Sequence, residues 1–232
     1  MNQSEPTKPR PIRSFVLRQG RITLGQNAAF ERLWPIFGLD LSTEFNAMEA
    51  FGRAAPLIVE IGFGNGESLA QMALQAPEKN FIGIEVHRPG VGHLLLKIQE
   101  FKLDNVRVYC TDAMEVIRNR IPPNSLDALQ VFFPDPWHKK RHHKRRLVNA
   151  EFVSLAAERL KLGGVLHCAT DWEDYAGQML KVLEASSWLA NIAGEGRYAE
   201  RPALRPATKF EQRGQRLGHG VWDLLFEKKI NH

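Results

Sequence analysis

Several apolar runs in this chain end on residues that could do chemistry. The first, LIVEI, carries Glu60 and opens into Gly62-Phe63-Gly64-Asn65-Gly66. Glycines permit a tight turn and let a ligand approach the backbone closely. Their spacing is G-x-G-x-G, so the dinucleotide fingerprint G-x-G-x-x-G is not met. A glycine loop alone could be only a turn, but Glu60 in front of it points to a site. A carboxylate at the end of an apolar strand is costly to bury unless it meets a cation or hydrogen-bond donors. The ammonium group of a methionine moiety could be that partner, directly or through water. The second run, FIGIEV, ends near Glu85, an acid placed to accept both hydrogen bonds of a ribose diol. That feature signals a nucleoside without saying which. The third run, VRVYC, leads to Thr111-Asp112. Asp112 could receive the exocyclic amine of adenine, and with Glu115 it also makes a helix-start pair; both roles can coexist.

The fourth run gives Phe132-Phe133-Pro134-Asp135-Pro136-Trp137. Two prolines stiffen this loop, and Pro134 is expected to push Phe133 towards extended geometry. Asp135 is thereby held at a strand end among aromatic residues, which suggests a pocket rather than a surface bend. Directly after it comes His138-Lys139-Lys140-Arg141-His142-His143-Lys144-Arg145-Arg146, in which six of nine residues are fixed cations. Charge runs are usually solvated faces. This one adjoins the candidate strand end, where Lys and Arg could neutralise phosphates by releasing counterions. Its three histidines lack an acid or cysteine at ligand spacing, so no metal is expected; zinc would be the candidate. The fifth run ends in Ala169-Thr170-Asp171-Trp172. Asp171 could cap the following helix with Asp174, or accept from the Watson–Crick edge of a guanine. Thr208-Lys209-Phe210-Glu211 has capping-box spacing and equally offers a hydroxyl, a cation, an aromatic face and a carboxylate. Spacing does not choose between these.

The elements that must position these residues follow from hydrophobic period. LIVEI, FIGIEV, VRVYC, LDALQVFF and GGVLHCAT read as strands. ESLAQMALQ, VGHLLLKIQEF, AMEVIRNR and NAEFVSLAAERL, which lie between them, have helical spacing. Residues 27–37 form a short amphipathic pattern that Pro35 is expected to interrupt, and GVWDLLFEKK reads as a last strand or strand pair. Alternating β and α units imply a mostly parallel sheet with helices on both faces, whose ligands bind beyond the carboxyl ends of the strands.

With 232 residues and 44% hydrophobic content, one domain with a substantial core is expected. Residues 14–232 are read as that domain and residues 1–13 as a flexible basic tail. The net charge of +5 leans towards a polyanionic partner. Cys110 and Cys168 are expected to be two buried thiols in a reducing compartment. No apolar run is long enough to cross a membrane, and the polar, proline-rich start lacks a signal core. A soluble cytoplasmic protein is expected, with no obligate protein partner evident.

Taken together, SFVLRQGRITLGQ, VEIGFGNG, IEVHRPGVG, FFPDPWHKKRHHKRRL, ATDWEDYA and TKFEQRGQRLGHGVWDL resemble the bacterial tRNA (guanine-N7)-methyltransferase family over residues 14–226. The glycine loop is shared by many methyltransferases. FFPDPW followed by the basic run, combined with TKFEQRG, is specific. The resemblance implies a Rossmann-like class I methyltransferase fold, with a mostly parallel seven-stranded sheet and an antiparallel last strand. It implies that Glu60, Gly62, Glu85, Asp112 and Asp135 bind S-adenosylmethionine, that S-adenosylhomocysteine is the product, and that Asp135 is the catalytic acid. It places Lys139, Asp171 and Thr208, Lys209, Phe210 and Glu211 on the substrate. Arg141, His142, His143, Lys144, Arg145 and Arg146 would meet the RNA. The substrate implied is the variable-loop guanine, position 46, of tRNA.

Three rivals share parts of this pattern. A dinucleotide dehydrogenase would share Glu85 but has another glycine spacing and no need of the basic loop. An amino-group methyltransferase would prefer an aromatic directly after D/N-P-P, which Asp135-Pro136-Trp137 meets only in part. A non-catalytic RNA-binding relic of a methyltransferase would have no use for acids at four strand ends.

Overall fold

The structure is a computed structural model that describes residues 14–15, 20–203, 205–206, 211 and 220–230. Strand β1 (Leu57–Ile61) is buried along its whole length, as a central parallel strand covered on both faces must be. It pairs in parallel with β2 (Asn80–Ile84) on one side and β4 (Leu126–Phe132) on the other. The sheet continues outward through β3 (Val106–Tyr109) beyond β2 and β5 (Leu160–Thr170) beyond β4, both parallel. Strand β7 (Trp222–Lys228) runs antiparallel between β5 and β6 (Leu189–Asn191). The order is therefore β3-β2-β1-β4-β5-β7-β6. Successive connections leave in opposite directions from β1 and β4, so the crevice beyond their carboxyl ends is the place where such sheets bind ligands.

Residues of β1 alternate between two cores, as a period of two requires. Val59 and Ile61 join Val116, Phe152, Val153, Tyr175 and Met179 on one face. Those residues come from helices α5 (Ala113–Asn119), α6 (Ala150–Arg159) and α7 (Glu173–Glu184). Ile58 joins Leu33, Leu69, Leu94, Leu95 and Ile98 on the other face, from α1 (Leu24–Phe37), α3 (Glu67–Gln75) and α4 (Arg88–Phe101). Each such fully buried aliphatic side chain contributes about 1.5–3 kcal/mol. Glu60 is thereby directed to the same face as Ile58.

Helix starts follow local chemistry. Thr23 and Gln26 form a capping box on α1, and Asn149 accepts from the Phe152 N–H at the start of α6. Asp112 caps α5 by accepting from the Met114 N–H at 2.9 Å. Pro35 does not interrupt α1; it sits in the last turn, where little of the hydrogen-bond ladder remains to be lost. A short helix α2 (Ala47–Phe51) and the three-residue β6 were not foreseen. Strand β2 ends one residue before Glu85. Cys168 is buried, with its thiol pushed up to about 12 by burial, whereas Cys110 is half-buried rather than buried.

Candidate active site

The turn after β1 needs glycine. Gly62, Gly64 and Gly66 all have positive φ, at 71°, 60° and 74°, a region costly for other residues. A second glycine fixes the turn from outside. A Cβ on Gly90, in the first turn of α4, would stand 2.0 Å from the Gly64 carbonyl oxygen. The helix can therefore approach the turn only because that side chain is missing.

Glu85 ties the turn to β2. Its Oε2 accepts from the Gly64 N–H at 3.0 Å, and its Oε1 accepts from Val86 and His87 N–H at 2.6 and 2.9 Å. Oε1 is thus occupied, and Oε2 keeps capacity for one further donor. The two-oxygen grip expected for a diol is reduced accordingly. Glu60 lies one residue before the cavity-lining Ile61, 3% exposed, and its Oε2 has no hydrogen-bond partner. Burial, and then the nearby Glu85 charge, raise its carboxyl to about 8. An acid in this position calls for a cation.

A cavity of about 350 Å³ opens above these residues, lined among others by Gly62, Glu85, Asp112, Phe133, Pro134 and Asp135. Four of the five residues expected on the cofactor thus share one cavity; Glu60 does not line it and adjoins the lining Ile61 in sequence. Asp112 caps α5 and also lines this cavity.

The loop carrying Asp135 departs from expectation in one respect. Phe133 has φ 51° rather than an extended backbone, and Trp137 has φ 47°. The residue before proline is barred from the right-handed helical region. Phe133 leaves by the left-handed side, its N–H donating to the Ala169 carbonyl at 2.8 Å. Two non-glycine residues at positive φ bracket the exposed Asp135, the kind of strain found at functional sites.

The basic run folds into a 3-10 helix over Lys140–Arg145. Lys139, Lys140, Arg141 and Lys144 are exposed, while His142, His143 and Arg145 are half-buried. Arg145 lies over the Trp137 ring at 4.3 Å, and His142 meets the same ring edge-on at 5.8 Å. Arg146 is a correction to the expected RNA contacts. It is 2% exposed, donating to the Pro136 carbonyl, Gln178 and Asp174 and lying 4.7 Å over Tyr175. It fastens the run to α7 instead of facing outward.

Asp171 is half-buried and does not cap α7, whose cap position is Trp172. Glu211 is buried and pairs with Arg205; Thr208, Lys209 and Phe210 lie outside the described residues. Sequence reading missed Ser14 and Phe15, which line the cavity. It also missed the indole of Trp137, which donates to the Ser14 carbonyl at 3.2 Å. A second cavity of about 850 Å³ shares Ser14, Phe15, Thr111 and Asp112 with the first and reaches Lys144 and Arg145. Among the described residues no group of three His, Cys, Asp or Glu is placed to hold a metal. No described helix is long and apolar enough to cross a membrane.

Sheet order, glycine turn and strand-end acids define a Rossmann-like class I methyltransferase. Residues 54–224 match the family described as "Putative methyltransferase". The 16S rRNA methyltransferase KamB shares the fold with TM-score 0.59 at 16% identity, over 81% of this chain and 96% of that one. An rRNA methylase from Streptococcus thermophilus does so with TM-score 0.51 at 11% identity, over 91% and 100%. Within that class, the tRNA (guanine-N(7)-)-methyltransferase of Methylococcus capsulatus is 61% identical over 95% of both chains. That of Alcanivorax borkumensis is 56% identical over 95% of this chain and 92% of its own. The chain belongs to the tRNA (guanine-N7)-methyltransferase family.

Proposed function

We propose that this protein transfers the methyl group of S-adenosylmethionine to N7 of the variable-loop guanine, position 46, of tRNA, in the cytoplasm, and acts as one domain from residue 14 onward. The observation that carries the reading is Asp135, an acid on a strained loop with the nucleoside-sized cavity on one side and exposed cations on the other. S-adenosylmethionine supplies an electrophilic methyl on a sulfonium. The orphaned Glu60 carboxylate suits its ammonium group, Glu85 Oε2 a ribose hydroxyl, and Asp112 the adenine amine.

Guanine N7 carries a lone pair and no proton, so the transfer needs no general base. What remains for the protein is positioning and electrostatics. As the methyl transfers, positive charge grows on the imidazole ring of the base, and the Asp135 carboxylate is placed to stabilise it. Asp171, free of capping duty, and Lys139 are assigned to hold the guanine. Lys140, Arg141 and Lys144 are assigned to phosphates, with Arg145 and the two histidines at the edge of that surface. Because N7 faces the deep groove of A-form RNA, the base must be loosened from its tertiary contacts before it can enter. No specific observation favours a non-catalytic relic.

Asp135→Asn keeps the shape of the loop and removes the charge. It is expected to lower turnover about 100-fold, with tRNA and cofactor affinities retained in calorimetry and filter binding. Full turnover with normal binding would remove Asp135 from the mechanism.

A further inference from the structure

Behind the Asp135 loop lies a buried polar network, of whose members the resemblance gives a role to Glu211 alone. Arg205 donates from Nη1 to Glu211 Oε2 at 2.7 Å and from Nη2 to Glu211 Oε1 at 3.2 Å. Nη2 also donates to Asp223 Oδ2 at 2.8 Å. Its Nε lies 2.8 Å from Asp223 Oδ1, a contact off the N–H axis and so Coulombic. His167 Nε2 stands 2.7 Å from the same Oδ1. All four side chains are buried, and Arg201, 3.4 Å from Glu211, is half-exposed at the rim. Burial alone would raise the Asp223 carboxyl, yet the His167 hydrogen bond and the Arg205 charge hold it below the usual carboxylate range.

The network joins the strands that meet under the Asp135 loop. His167 is on β5 and Asp223 on β7, where it pairs with Ala169. The Arg205 guanidinium lies 5.9 and 5.7 Å from the ring centroids of Phe132 and Phe133. The Phe132 ring meets the His167 imidazole edge-on at 4.8 Å. Phe133, at positive φ and bonded to Ala169, stands two residues before Asp135.

Such a network is a poor device for stability alone, because desolvating a guanidinium and two carboxylates offsets much of their attraction. What a guanidinium fork between two carboxylates supplies is a fixed angle between the elements that carry them. We propose that His167, Arg205, Glu211 and Asp223 are positioning residues for the methyl transfer: they lock β5, β7 and Arg205 against Phe132 and Phe133 and so set where Asp135 stands. Glu211 bears on Asp135 through Arg205. This deepens the function proposed above and rests on Asp135 being the group positioned.

The test is a double-mutant cycle of Glu211→Gln and Asp223→Asn, with Arg205→Lys beside it. The readouts are kcat for methyl transfer at saturating tRNA and cofactor, and the dissociation constant of S-adenosylmethionine by calorimetry. Each single variant is expected to lose about 10-fold or more in kcat, with cofactor affinity within about twofold of wild type. The double variant should be no worse than about threefold below the worse single one, since both carboxylates act on one guanidinium. Arg205→Lys keeps the charge without the fork and should not restore turnover. Should Asp223→Asn not fold, Glu211→Gln with Arg205→Lys completes the same cycle. Wild-type kcat in the single variants, losses that multiply, or cofactor binding that falls in step with kcat would each overturn the proposal. A wild type that methylates tRNA at another atom would sink the N7 reading alone, because the kcat comparison does not depend on which atom receives the methyl.

Discussion

Replacing Glu60 by glutamine tests the cofactor site without any substrate. The carboxyl is 3% exposed, has one orphaned oxygen, and titrates near 8 instead of 4.5. The folded, cofactor-free protein therefore holds a proton at Glu60 that the unfolded chain has already lost between those two values. Stability from this group is fully present below pH 4.5, falls as pH rises through about 8, and is flat above it. A shift of about 3.5 units at 1.36 kcal/mol each sets the ceiling of the loss at about 4–5 kcal/mol. Glu60→Gln keeps the side-chain shape and removes the titration. Urea unfolding of the cofactor-free proteins from about pH 5 to about pH 9 should show the wild type losing stability relative to the variant across that range. The variant should be the more stable protein at the alkaline end and the weaker binder of S-adenosylmethionine. Because Glu85 is the second cause of the shift, Glu85→Gln should narrow the window. Parallel pH profiles of wild type and Glu60→Gln would refute the account of Glu60 as an acid awaiting a cation.

The basic run should divide into two kinds of residue. Arg141→Ala is expected to leave thermal unfolding unchanged, weaken tRNA binding, and lower the salt slope by roughly 0.7–0.9 for each phosphate it no longer neutralises. Arg146→Ala should instead destabilise by about 1–3 kcal/mol, because the Pro136 carbonyl, Gln178 and Asp174 would be left without their shared donor. Equal effects of the two on stability would contradict the division. Gly90→Ala would drive a methyl against the Gly64 carbonyl at 2.0 Å. It should weaken cofactor binding in calorimetry more than it weakens tRNA binding in a filter assay.

Where neighbours in sequence decide the outcome, the sequence was legible. The glycine turn is readable because positive φ at Gly62, Gly64 and Gly66 demands that residue type, and Glu60 is readable because burial makes a carboxylate costly. Helix α3 was bounded by its own pattern from Glu67 to Gln75. Features decided across the fold were hidden. Arg146 reads as one more cation in a run, and its inward turn depends on Asp174 and Gln178, 28 and 32 residues later. His167 and Asp223 lie 56 residues apart, and the antiparallel pairing of β5 with β7 is what makes them partners. The backbone of Phe133 follows from a bond to Ala169 on the neighbouring strand, not from Pro134 alone. Strand β6, with three residues, is too short for a period to show.

The proposed reaction is N7 methylation of one guanine. The most direct measurement is methyl transfer from labelled S-adenosylmethionine to an unmodified tRNA transcript, followed by nucleoside analysis, with a transcript carrying adenine at position 46 beside it. The expected outcome is 7-methylguanosine from the first transcript and none from the second. Label in another nucleoside, equal 7-methylguanosine from both transcripts, or no transfer by folded, cofactor-binding protein would contradict it.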